Sequence, residues 1–191
     1  MELKEPTSKG NLLIALSTIV SPGVRVLTVT DDAPGGSNVY KKIAGASSSC
    51  ANKFIDIWYC ENCKPGATVV TFGQSEASAS VISFLEVSNM ASASALDGSG
   101  AQVSDGTATS AGLEAGPSFK TTAADFIVSA YFPPPSGLTS AAWKFSPSFA
   151  YLQKAPPGTY QPTLTGAKPN GNFCIGVAAF KTAAPDVGSS K

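Results

Sequence analysis

What most constrains this chain is its rhythm. Short runs of β-branched and aromatic residues are each stopped by Gly or Pro, and no window shows apolar residues recurring with a helical period. Such side chains pack well on a pleated surface, and Gly and Pro punctuate the segments between. The clearest instance is residues 54–72. Phe54-Ile55-Asp56-Ile57-Trp58-Tyr59-Cys60 reads as a strand, Lys64-Pro65-Gly66 as a turn, and Thr68-Val69-Val70-Thr71-Phe72 as a second short strand. Proline presets φ and glycine supplies the positive φ that a tight reversal needs.

The same grammar runs through the rest. Leu12-Leu13-Ile14-Ala15-Leu16 is a continuous apolar run, the pattern of a strand buried on both faces. Residues 24–30 alternate with a period of two. Residues 39–43, 81–87, 126–132, 145–153, 158–164 and 173–180 read as further strands. Residues 31–38 form a dense turn cluster, and 44–52 a loop of small residues. Residues 90–117 are rich in Ala, Ser, Gly, Asp and Thr. Loops of that length are uncommon in compact domains, so weak strands at Gln102-Val103-Ser104 and Thr107-Ala108-Thr109 are expected inside this stretch. About ten short strands with turns between them imply an all-β fold, a two-sheet antiparallel β-sandwich that is jelly-roll-like. One domain is expected over residues 10–182. An N-terminal segment, 1–9, serves either as an edge strand or as a partner-contacting arm, and 183–191 is a flexible tail.

Charge narrows the function. Charged residues are 14% of the chain, well below the roughly 25% of an average soluble protein. The 13 basic and 13 acidic residues cancel, so nothing favours nucleic acid or an anionic membrane as partner. No apolar run approaches the about 20 residues of a spanning helix, so membrane insertion is not expected. The start, MELKEPTSKG, lacks the basic-then-apolar order of a signal peptide. A charge-poor surface of Ser, Thr, Ala and Gly is nonetheless typical of exported proteins. The expected location is extracellular or at the cell surface, with any leader outside this numbering.

Four Cys and no His set the chemistry. Cys50, Cys60, Cys63 and Cys174 permit three disulfide connectivities. Cys60 and Cys63 form a CxxC, but no second CxxC and no His complete a zinc site. The motif precedes Lys64-Pro65-Gly66 and a strand rather than opening a helix, which argues against a thioredoxin-like centre. Structural disulfides or buried thiols are the expectation, with no metal and no cofactor. Without His, neither a Ser-His-Asp nor a Cys-His site can be built. A glycosidase needs only two carboxylates, and Asp56, Glu61, Glu76, Glu86, Asp97 and Asp105 are available, but none sits in a distinctive motif. A non-catalytic protein is expected. Asp31-Asp32, or Asp97 with Asp105, offer oxygen ligands for calcium without a fixed ligand spacing, and Asx turns account for Asp-Gly equally well.

The aromatics suggest a second reading. Successive strand residues face opposite ways, so Trp58 and Tyr59 cannot both be buried if one sheet face is wet. Trp143, Tyr151 and Tyr131 are the candidate carbohydrate-contacting rings, with Trp143 expected to be the most exposed.

The order of segments adds a resemblance. Gly10-Asn11-Leu12-Leu13, Val29-Thr30-Asp31 running to Asn38-Val39-Tyr40, and Ile57-Trp58-Tyr59 with Asn62 and Gly66 before Val69-Val70-Thr71 carry its first half. Leu85-Glu86-Val87-Ser88, Leu96-Asp97-Gly98 and Val177-Ala178-Ala179-Phe180 carry the second. Together they resemble a family of bacterial secreted, repeat-prone β-sandwich domains of mostly unassigned function. The resemblance implies the fold and an extracellular setting; its motifs are turns and strand ends and say little of activity. Members of that family have a further strand before the Gly-Asn-Leu segment. Its lack would leave an open sheet edge, unless residues 2–7 or another part of the chain fill it. Low charge, a possible open edge and Cys able to cross-link favour an extracellular structural subunit that assembles with copies of itself. The alternative is a carbohydrate-binding module whose partner is a polysaccharide.

Overall fold

A computed structural model describes residues 1–21, 23–46, 48–50, 53–103, 113–132, 137–138, 142–146, 148–165 and 173–184. The first half of the chain contributes strands β1 (Leu12–Ile19), β2 (Val26–Asp31), β3 (Lys41–Lys42), β4 (Ser48–Cys50), β5 (Lys53–Cys60), β6 (Val70–Gln74) and β7 (Ser80–Val87). The second half contributes β8 (Leu96–Val103), β9 (Leu113–Ala115), β10 (Phe119–Thr121), β11 (Asp125–Phe132) and β12 (Gly137–Leu138). It continues with β13 (Lys144–Ser146), β14 (Phe149–Ala155), β15 (Gly158–Tyr160), β16 (Thr163–Thr165) and β17 (Cys174–Lys181).

Two antiparallel sheets pack face to face as a β-sandwich, the fold class that the strand rhythm implies. The first runs β3-β5-β1-β7, with β4 also paired to β5; the second runs β13-β14-β11-β17-β8. Each sheet therefore comes from one half of the chain. Leu12, Ile14, Leu16, Ile55 and Ile57 of the first meet Phe126, Val128 and Phe180 of the second.

The outer faces are covered as well. The β2–β6 ribbon lies over the first sheet, where Val26, Val29 and Val70 pack on Leu13, Ala15 and Ile19. On the second sheet, Phe119 of the β10–β15 ribbon and Leu164 of the β12-β16-β9 sheet cover Ile127, Tyr131, Ile175 and Val177. A strand dry on both sides needs an apolar residue at every position instead of every second one. All eight residues of β1 are buried, and six of them are apolar, with Ser17 and Thr18 the exceptions.

Double coverage decides where two apolar runs place their side chains. Trp58 and Tyr59 are both buried, the first under the β2–β6 layer and the second between the sheets. The apolar run of β11 is covered by its own chain and needs no neighbouring molecule.

The stretch 54–72 is not a hairpin. β5 pairs with β1, β3 and β4, whereas β6 pairs with β2. The Lys64-Pro65-Gly66 turn thus carries the chain out of the first sheet into its cover layer. The N-terminal segment fills an edge and is no free arm. Glu2 bridges Val69, Val70 N donates to Met1 O at 2.9 Å, Leu3 N to Thr68 O at 2.8 Å and Thr7 N to Ala67 O at 2.9 Å.

Two strands were hidden by small residues. β4 lies within the expected loop 44–52. β8 is a full eight-residue strand of composition LDGSGAQV, where only its last residues had strand character. Its glycines are steric: a β-carbon at Gly98 would stand 2.7 Å from Lys120 O, and glycine in a strand marks such an approach of another backbone. The expected strand at 107–109 and the tail from 185 lie outside the described residues.

Candidate functional site

β7 ends the first sheet. It pairs with β1 from Ser80 to Val87, and no described strand pairs with its other side. An edge strand presents a row of unpaired N–H and C=O groups, a template for another extended chain. Leu85 and Val87 lean on the inter-sheet core, Phe84 on the outer one, and Val81 is 45% exposed. The strand's single charge, Glu86, already accepts from Ser8 N at 2.6 Å and from Asn11 Nδ2 at 2.7 Å.

One hydrogen bond, Ser83 Oγ to Ser148 Oγ at 2.9 Å, ties β7 to the second sheet. Beyond it the sheets leave a groove of about 860 Å³, bordered by Glu86, Asn89, Met90, Phe126, Gln153 and Lys154. A β-bulge shapes its far wall. Ile127 pairs with Leu152 and Asp125 with Ala155, so Gln153 and Lys154 together oppose Phe126. Lys154 has φ +54° and Asn89, across the groove, φ +59°. Bulges re-aim side chains, and left-handed backbone at a lysine costs strain. The groove thus has an apolar floor and a rim of amide, carboxylate and ammonium groups.

The Asp31-Asp32 pair is engaged in holding its own loop. Asp31 Oδ1 accepts from Asn38 N at 3.0 Å and Ala33 N at 3.2 Å, and Oδ2 from Asn38 Nδ2 and Tyr40 OH, both at 2.8 Å. Burial pushes the Asp31 carboxyl up, but these bonds outweigh it and hold the group below the ordinary value. Asp32 Oδ1 accepts from Val69 N at 2.8 Å and Thr68 N at 2.7 Å, with Thr68 Oγ1 on Oδ2 at 2.7 Å. These bonds, Val69 N–H foremost, draw its pKa down to about 2. Of the other calcium candidates, Asp105 lies outside the described residues.

Among the remaining carboxylates, Asp56 pairs with Lys42 at 2.8 Å, and Glu61 pairs with Lys41 at 2.9 Å while accepting from Ala95 N at 2.8 Å. Glu76 is exposed. Asp97 accepts from Thr122 and Ala123 and faces Lys181 Nζ at 3.6 Å. Beside it stands a residue that sequence reasoning passed over. Asp125 is fully buried and neither carboxyl oxygen has a partner. Burial first, and the neighbouring Asp97 second, push its pKa up to about 7 against the pull of Lys181. The one available signal was a charge at each outer end of two apolar runs, Asp125 and Lys181, which the register brings opposite each other.

The three candidate sugar-contacting rings do not share a surface. Tyr131 is only 1% exposed, and its hydroxyl donates to the carbonyls of Ser146 and Phe149, which removes it from the set. Trp143 is half-buried against the outer core of the second sheet. Tyr151 is half-buried toward the other face, its ring 5.5 Å from that of Phe126. The ring that sequence reasoning missed is Phe145, 44% exposed and stacked on Tyr131 at 5.9 Å.

Cys60 and Cys63 form a disulfide, with Cα atoms 6.0 Å apart, that closes the turn leaving β5. Cys174 is disulfide-bonded too, and the side chain of Cys50 lies outside the described residues. No described helix is long and apolar enough to cross a membrane. Comparison with known proteins finds no matching family model, curated protein or solved structure.

Proposed function

We propose that this protein is a non-catalytic, extracellular structural subunit that associates with copies of itself along the free edge of β7. The supporting observation is that edge: eight residues, mostly apolar and paired on one side only among the described residues. Strand addition satisfies main-chain groups whatever the partner. The sequence SVISFLEV favours a second copy. Antiparallel self-pairing centred on Phe84 sets Glu86 opposite Ile82, so the strand's only charge meets no like charge. The low charge of the whole chain and the likeness to secreted sandwich domains support the same reading. Sedimentation of the purified protein, with electron microscopy at high concentration, tests it. Wild type should associate and Val81→Lys, a charge placed on the edge, should not. A wild type that stays monomeric at every concentration refutes the reading.

The second reading is carbohydrate binding, carried by exposed Phe145 two residues from Trp143 on the rim strand of the second sheet. Tryptophan quenching by a panel of polysaccharides tests it, and no response from any of them ends it.

A further inference from the structure

We propose that Lys181 and Asp97 condense to an intramolecular amide, a cross-link between neighbouring strands β17 and β8, with Asp125 relaying the protons. The geometry is that of an acyl-transfer site. Lys181 Nζ lies 3.6 Å from Asp97 Oδ1, and the Asp97 side chain is 4% exposed. Two backbone N–H groups, of Thr122 and Ala123, converge on the other oxygen, Oδ2. Paired donors of this kind stabilise the negative charge of a tetrahedral intermediate. Thr122 Oγ1 holds Oδ1 at 2.5 Å, which fixes the plane of the carboxyl. The backbone of Lys181 is set by its bond to Ala95 O at 2.8 Å and by its pairing with Asp125.

Asp125 supplies what the pair lacks. Two ionised carboxylates are acceptors only, so Asp125 has no partner unless it carries a proton and donates it toward Asp97. Its burial keeps that proton bound up to a pH of about 7. The charged and titratable groups facing it are Asp97 of β8, Lys181 of β17 and Tyr160 of β15.

The step balances without any co-reactant. The Lys181 ammonium gives one proton to Asp97 Oδ1, and the free amine attacks Cγ while charge collects on Oδ2. The Cγ–Oδ1 bond breaks as Asp125 protonates Oδ1, which leaves as water. Asp125 then recovers a proton from the nitrogen, the carbonyl re-forms on Oδ2, and the amide keeps one hydrogen. Positioning of this quality replaces the entropy cost of a bimolecular encounter. The inference does not depend on self-association: the amide lies within one chain.

The test is the intact mass of the folded, purified protein after full reduction and denaturation. The expected mass is that of the sequence less one water, and fragmentation should join the peptides holding Asp97 and Lys181. Lys181→Arg, which keeps the charge and the strand, should show the full mass. Asp125→Asn should show it too while retaining a wild-type circular dichroism spectrum. Wild type at full mass after prolonged incubation overturns the proposal. So does loss of water in Lys181→Arg, which would place the dehydration in a succinimide at Asp97-Gly98.

Discussion

Gly176 of β17 lies directly beneath the carbonyl of Ala46, and a β-carbon at 176 would stand 2.2 Å from that oxygen. The contact is between two backbones, so no side-chain rotation relieves it. Gly176→Ala should therefore force the 3-10 turn Ala44–Ala46 away from the second sheet. The expected loss is about 3 kcal/mol, the upper range for overpacking a core. A urea titration showing a change within about 0.5 kcal/mol, the spread of ordinary surface substitutions, would rule out this seam.

Tyr131 offers a milder test. Its hydroxyl donates to the carbonyls of Ser146 and Phe149, on either side of the β13–β14 turn. Tyr131→Phe keeps the ring stacked on Phe145 and leaves both carbonyls short of a donor. The expected cost is about 1–3 kcal/mol, the penalty for an unsatisfied buried group. Amide exchange should rise at that turn before it rises in β11.

Asp125 predicts the direction of a pH dependence. Its folded pKa, about 7, lies well above the ordinary carboxylate value. The folded state therefore holds a proton that the unfolded chain has lost. This contribution is complete below about 4 and disappears as pH rises through about 7. In Lys181→Arg, which cannot form the amide, unfolding free energy should fall across that window. Adding Asp125→Asn should abolish this part of the slope; an unchanged slope would assign it elsewhere.

Asp32 predicts the opposite sign. Hydrogen bonds from Val69 and Thr68 depress its folded pKa to about 2. Its contribution is present above the unfolded value and lost as pH falls toward 2. Asp32→Ala should be less stable than wild type at pH 6, and the two should converge in acid. Equal stability at pH 6 would show that the loop does not depend on this carboxylate.

The sequence is most legible where a strand is buried on both faces. The run at 12–16 is wholly apolar and that at 126–132 is broken only by Ser129; they form the cores of β1 and β11. It is least legible where burial is achieved by small residues. Asp97-Gly98 reads as a turn, yet Gly98 sits in β8, where the Lys120 backbone crowds it as Pro117 crowds Gly100. Tyr131 illustrates a different limit. Alternation tells which residues share a face but not whether that face is covered, and here a third layer covers it. The Asp97, Asp125 and Lys181 cluster was out of reach for a related reason. Its members come from three strands whose pairing depends on register, with a bulge at the Asp97 position.

Because each sheet is drawn from one half of the chain, the order of synthesis matters. The strands of the first sheet are all available once Val87 has emerged, but their inner apolar face has nothing to pack against. The second sheet cannot close until β17, the last of the described strands, takes its place between β11 and β8. A nascent chain therefore displays Leu12, Ile14, Ile55 and Ile57 to solvent from the release of Val87 until β17 emerges. Exposed surface of that kind invites association with whatever is near. Truncations ending between residues 90 and 170 should collect in the insoluble fraction, and the native fold should form only after the last strand is released.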